Sequence, residues 1–364
     1  MPLERKPDFE KTLERYEAWW HGEIVDRPVV TLHVKSEGSR VPRPQKKHAS
    51  LRERWMDIEF NVDCHEAAVE NTVYFADHFP RFNPNLGPDL CATLYGGDLE
   101  FHEGTSWSKP ILKDIRDLLR MQPNLENPYW QRMRALTELS AERGRGKWVT
   151  GVTDLHMDGD LLSALRGPED LCLDCIDDEE GVGLACRHVT TAWGAIYDDL
   201  WKRANAYSPI TSSWTATLHR GKSYNIQCDF ICFLSPRQFR ELVLPSLVAE
   251  MRHVERSIYH LDGPDALRHL DALIETPELH AIQWVYGAGR GPAARWVDVY
   301  RRIQQGGKSM QVICENIEDA RRVAEQLRPE GVWLDVGGSY PRAEAEAFLK
   351  WVERWAARSA VAAR

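Results

Sequence analysis

From Lys147 onward the chain alternates apolar runs of strand length with helical segments, and this alternation constrains the fold more than any other feature. Strands are expected at Trp148–Thr153, Tyr224–Cys228, Ser257–Leu261, Ala281–Val285, Met310–Cys314 and Val332–Val336. Helices are expected between and after them, at Pro236–Glu255, Ala266–Glu275, Ala294–Gln305, Ile317–Leu327 and Ala343–Ala357. Repeated β-then-α units with short connections imply a parallel sheet. No Gly-x-Gly-x-x-Gly follows the first strand, so an open dinucleotide-binding sheet loses its main signature. The expected fold class is α/β, a (β/α)8 TIM barrel.

Residues 1–147 are less regular and read as an N-terminal elaboration of one barrel domain spanning 1–364. They include a helix near Pro7–Gly22, a strand at Pro28–Val34, a helical stretch at Leu51–Thr72 and a helix at Tyr129–Arg143. Pro-rich loops at Ser36–Pro44 and Phe79–Pro88 separate these elements. With 364 residues, 43% of them hydrophobic, the chain can bury the core of one large domain.

The net charge of −9, without a dominant basic cluster, argues against a nucleic-acid partner. No run approaches the roughly 20 apolar residues of a membrane span, and Met1–Lys6 lacks the apolar core of a signal peptide. The expected location is the cytoplasm. Eight cysteines are scattered along the chain, which favours reduced thiols; Cys172-Leu-Asp-Cys175 has no second pair at metal-site spacing.

Polar residues fall at the C-terminal ends of the expected strands: Asp154, Cys228-Asp229, His260, Asp262, Gln283, Glu315 and Asp335. In a TIM barrel that end carries the site, because the loops after the strands share one concave face. His260 and Asp262 are two residues apart in a strand, so both side chains point the same way and can converge on one ion or substrate. The alternative for any single position is a cap or a turn: Ser235 and Asp319 suit helix caps, and Asp262 precedes Gly-Pro.

Several segments together resemble the uroporphyrinogen decarboxylase superfamily, and its methyltransferase-like branch more closely. They are Ala18-Trp-Trp-His-Gly-Glu-Ile-Val-Asp-Arg-Pro28, Thr105-Ser-Trp107, Thr153–Gly167, Tyr224–Pro236, His260-x-Asp262-Gly263 and Ile282–Gly287. The resemblance covers nearly the whole chain. It implies a barrel that acts on small molecules, in a branch that includes corrinoid-dependent methyltransferases, with cobalamin-independent methionine synthases more distant. In zinc-dependent members, a His-x-Cys and a further Cys near the last strand hold the metal, which activates a thiol for methyl transfer.

Here Asp262 stands where that first Cys would be, and Trp333–Tyr340 contains no Cys. His plus carboxylates make a harder site than thiolates, one that accepts zinc or another divalent transition metal. The replacement set drawn from neighbouring strand ends has His260 and Asp262 as its nucleus, completed by Cys228 and Glu315. Glu315 also suits a general base. Asp154, His156 and Asp229 would handle protons or substrate polar groups. Tyr224, Asn225, Trp284 and Trp214 would shape the pocket, and the indoles could cage a quaternary ammonium.

The expected function is therefore methyl transfer to, or demethylation of, a small molecule, with a corrinoid only on a separate carrier protein. Asp154-Leu-His-Met-Asp-Gly159 matches the Asp-x-His-x-x-Gly pattern of cobalamin-binding domains, but no doubly wound domain surrounds it. Decarboxylation of a porphyrinogen or other carboxylated substrate ranks second, because it calls for convergent arginines and only Asp26-Arg27-Pro28 offers one. A noncatalytic ligand-binding barrel ranks third. The helix Phe348–Trp355 would pack on the barrel or on a second subunit of a homodimer.

Overall fold

The computed structural model describes residues 3–36, 38 and 40–362, with side chains through 358. Residues 37 and 39 of the expected Ser36–Pro44 loop, and the first two of the Met1–Lys6 segment, lie outside the described residues. The fold is α/β, built on six strands: β1 (Val29–Val34), β2 (Ser223–Gln227), β3 (Arg256–Asp262), β4 (Ala281–Val285), β5 (Ser309–Cys314) and β6 (Val332–Tyr340). They form one sheet in the order β1-β6-β5-β4-β3-β2, and every neighbouring pair is parallel. The β-then-α alternation therefore produces the parallel sheet expected of it.

Each strand alternates between two faces that differ in chemistry. One face carries Val30, Leu32, Ile226, Tyr259, Leu261, Ile282, Trp284, Val312 and Leu334, all buried in the largest apolar core. The helices that follow the strands cover this face. The other face carries Val29, Ile258, Ala281 and Trp333 near the strand starts, and these join a second core with Phe9, Leu13, Tyr16, Trp19 and Trp20. Those five lie on α1 (Phe9–Trp20), whose apolar residues recur three and four positions apart. Fully burying side chains of this size is worth about 1.5–3 kcal/mol each, so α1 closes the strand-start end of the second face.

Two short parallel pairings lie outside the six-stranded sheet. Arg81–Phe82 pairs in parallel with Val149–Thr150, and Val152 forms a parallel bridge to Ser213. Next to β1, the Asp77 amide donates to the Val30 carbonyl at 2.9 Å. The expected strand at Trp148–Thr153 thus shrinks to Val149–Thr150 plus an isolated bridge.

Four helices follow it, Gly159–Arg166, Pro168–Asp177, Glu179–Thr190 and Trp193–Ala204, and none of them is among the expected helices. The expected Pro236–Glu255 helix is interrupted by a π-turn at Phe239–Val243. Pro245 follows that turn; it lacks an N–H and crowds the preceding carbonyls, which accounts for the break. The last helix, Arg342–Ala362, packs on this chain's own core through Phe348 and Val352. Among the described residues no helix is long and apolar enough to cross a membrane, and the eight cysteines are free.

Candidate functional site

Beyond the α1 side chains that cover its strand-start end, the second face of the sheet, here termed the inner face, turns polar. Gln227, His260, Gln283 and Gln311 stand abreast in register on β2, β3, β4 and β5. Parallel strands covered on both faces are normally apolar throughout, so a polar row across four of them marks a face that serves something other than packing.

Hydrogen bonds run along the row. Thr31 Oγ1 donates to Asp335 Oδ1 at 2.7 Å, Gln311 Nε2 to Asp335 Oδ2 at 2.9 Å, and Gln283 Nε2 to Gln311 Oε1 at 2.7 Å. That last bond turns Gln283 Oε1 toward His260, whose Nδ1 donates to it. The network thus assigns the proton to Nδ1 and leaves the Nε2 lone pair of His260 free.

Two groups of acids flank this row. At the open end, Asp229, His260 and Asp262 bring one ligand atom each to within 4.8 Å of one another. The two-residue spacing on β3 does converge His260 with Asp262, and Asp229 at the end of β2 joins them. The protein packed around the Asp229 carboxyl and the nearby Asp160 charge push its pKa up to about 6.

Asp158, Asp160 and Cys228 form the second, deeper group, also within 4.8 Å. Asp160 accepts from the amides of Asp229 at 2.9 Å and Phe230 at 2.8 Å, and the Cys228 thiol points at it from 3.6 Å. His156 bridges Asp154, 2.8 Å from Nε2, and Asp160, 3.1 Å from Nδ1. Burial alone would lower the His156 pKa, but the two carboxylates outweigh it and hold the imidazole well above its ordinary value. Burial and then Asp160 push Asp158 up to about 8, while burial and Asp158 hold Glu250 well above the carboxylate range. This group ties the loop after Val152 to the loop after β2.

Other expected site residues lie elsewhere. Cys228 stands with Asp158 and Asp160 rather than His260, because position 228 faces the outer core while 227 and 229 face inward. Glu315 belongs to neither group; its carboxylate lies against Gly291, where an added Cβ would collide with it, on the far side of β4 from His260. Trp284 is fully buried on the outer face, against Trp296. Tyr224 is a clamp whose hydroxyl donates to the Thr153 carbonyl at 2.9 Å and accepts from the Leu155 amide at 2.6 Å.

Asn225 faces inward and accepts from Thr215 at 3.0 Å. Asp154 accepts from Gln227 at 3.2 Å, which joins the deeper group to the polar row. Trp214 reaches the site, with its ring edge-on to His260 at 5.0 Å between centroids. Ser235 caps its helix as expected, whereas Asp319 holds the amides of Ala293, Ala294 and Glu315 while Asn316 is the cap.

Beside the row lies a cavity of about 360 Å³ bordered by Thr31, His33, His78, Phe79, Arg81, Trp214, Gln283, Gln311, Trp333 and Asp335. A larger groove of about 640 Å³ runs along the N-terminal elaboration past Arg43, Lys46, Arg54 and Trp55, and touches none of the polar row. Arg27, the one arginine the sequence offered to a substrate carboxylate, is buried and paired with Asp77, which also holds Arg15 at 2.9 Å.

Sequence reasoning missed Arg81, Asp158, Asp160, Glu250, Thr31 and Gln311. The polar–apolar alternation inside Val29–Val34 and Ser309–Cys314 was the available signal for Thr31 and Gln311. Compared with known proteins, the sequence matches no protein-family model and no curated protein.

Proposed function

We propose that this chain is an enzyme acting on a small polar molecule at the C-terminal end of a barrel of the uroporphyrinogen decarboxylase-like type, by methyl transfer or demethylation. The observation that carries the reading is the convergence of Asp229, His260 and Asp262 at the rim of a polar inner face. The short parallel pairings at Arg81–Phe82, Val149–Thr150 and Val152, outside the six-stranded sheet, would be the segments that close it into a barrel. The methyl chemistry, and a corrinoid carrier as partner, rest on the sequence resemblance alone.

The thiolate zinc site of that superfamily does not fit these residues: Asp262 replaces one thiolate, the last strand has none, and Cys228 turns to Asp160. One imidazole and two carboxylates fit a harder divalent ion. Asp229, the free Nε2 of His260 and Asp262 would hold it, with Gln283 fixing the ring from behind. Such an ion supplies Lewis acidity toward a substrate oxygen or nitrogen. Trp214 shields the imidazole on one side, and Asp229, held near pH 6, can carry a proton when no cation is present.

Decarboxylation of a polycarboxylate ranks lower, since Arg27 is engaged by Asp77 and Arg81 alone among the arginines borders the cavity. Metal analysis after equilibration with Zn(II), Mn(II) or Fe(II) tests the proposal. About one ion per chain, lost in His260→Ala, is expected; equal binding by His260→Ala would contradict it.

A further inference from the structure

Arg81 and Asp335 border the same cavity and feel each other's charge across it, but neither has an ion-pair partner within 4.0 Å among the described residues. Arg81 has five N–H donors, and its hydrogen bonds go to two backbone carbonyls, Ser213 at 3.1 Å and Trp214 at 2.9 Å. Asp335 accepts only from the neutral groups of Thr31 and Gln311. A guanidinium enclosed in protein with no anion in contact is costly, and burial lowers its pKa despite the opposing charge of Asp335. His78, also on the cavity wall, is held neutral: burial and the neighbouring His33 and Arg81 lower its pKa to about 3. Arg81 is thus the cation of this cavity, and Asp335 is the carboxyl group opposite it, its pKa raised by burial against the opposing pull of the Thr31 and Gln311 hydrogen bonds and the Arg81 charge.

The two charges are not in contact; no ion pair within 4.0 Å joins them. Phe79, Trp214 and Trp333 line the same space. Aromatic faces beside a carboxylate attract ammonium and methylated ammonium groups, while a guanidinium fork suits a carboxylate.

We propose that the cavity binds a small zwitterion of the amino-acid or betaine type, its carboxylate on Arg81 and its cationic nitrogen near Asp335 between the aromatic walls. This names the substrate class of the enzyme proposed above, and so rests on the reading of this end of the sheet as the substrate site. The cavity's volume is at the small end of ligand pockets, as a molecule of this size requires.

Calorimetric titration with three probes of nearly equal shape tests it. Glycine betaine carries both charges, 3,3-dimethylbutyrate only the anion, and choline only the cation. Betaine is expected to bind the wild-type protein about tenfold or more tighter than either of the others. Arg81→Gln should erase the preference for betaine over choline, and Asp335→Asn the preference over 3,3-dimethylbutyrate.

Equal binding of betaine and choline to wild type, equal binding of betaine and 3,3-dimethylbutyrate, or no saturable betaine binding up to about 10 mM would overturn the proposal. The wild-type series decides the matter even if a variant fails to fold. Metal titration of the same samples scores Asp229, His260 and Asp262 separately, so either site can fail alone.

Discussion

The two acid groups at the strand ends use the same residue types and end in different physical states. Around Asp160 the acceptors are filled by two backbone amides, an imidazole and a thiol, and the neighbouring acids Asp158 and Glu250 are deeply buried. At Asp229, His260 and Asp262 the two acids reach the surface and the imidazole is half-buried, with one nitrogen engaged and one free. Proximity of acids and a histidine does not by itself define a site. What separates the two groups is whether the lone pairs already have partners.

That difference can be broken at either end. Asp160→Ala should be the most damaging change, costing about 3 kcal/mol in chemical denaturation, because it removes one of the two carboxylates that hold the His156 charge and leaves the Asp229 and Phe230 amides without their acceptor. Asp262→Asn should leave stability within about 0.5 kcal/mol but weaken divalent-metal affinity about 100-fold, or about 2.7 kcal/mol. If both variants lost stability alike, the contrast between brace and site would be wrong.

Asp158 sharpens the same contrast through pH. Its folded pKa of about 8 lies above the value of roughly 4 expected for an unfolded Asp. The proton it holds therefore favours folding fully below pH 4, and that contribution is lost as pH rises toward 8. Asp158→Asn has no such proton to lose, so it should be more stable than wild type by several kcal/mol at pH 8.5 and nearly equal at pH 4. Denaturation midpoints at the two pH values check this. The smallest expected effect is that of Gln283→Ala, which removes the bond that orients His260 and should lower metal affinity about tenfold.

Much of the sheet was legible because strand-length apolar runs between helices have few other uses, and the bounds of β4 match the expected Ala281–Val285. The convergence of His260 and Asp262 was legible too, since period two is a property of one strand. Which neighbours face them was not: Trp284 and Gln283 are adjacent in sequence, and only the pairing of Gln283 with His260 sends Gln283 inward and Trp284 outward. The same parity exchanges Cys228 for Asp229. Arg81 sits on a two-residue strand inside a Pro-rich loop, where no periodicity can develop. Asp160 lies in the first turn of a helix, and its four acceptor contacts come from loops that only the fold brings together.

X-ray absorption at the zinc edge of the protein loaded with one equivalent of Zn(II) tests the central claim most directly. The account expects a first shell of nitrogen and oxygen only, at about 2.0–2.2 Å, unchanged in Cys228→Ser and lost in His260→Ala. A sulfur shell at about 2.3 Å, or a spectrum indifferent to His260→Ala, would contradict it.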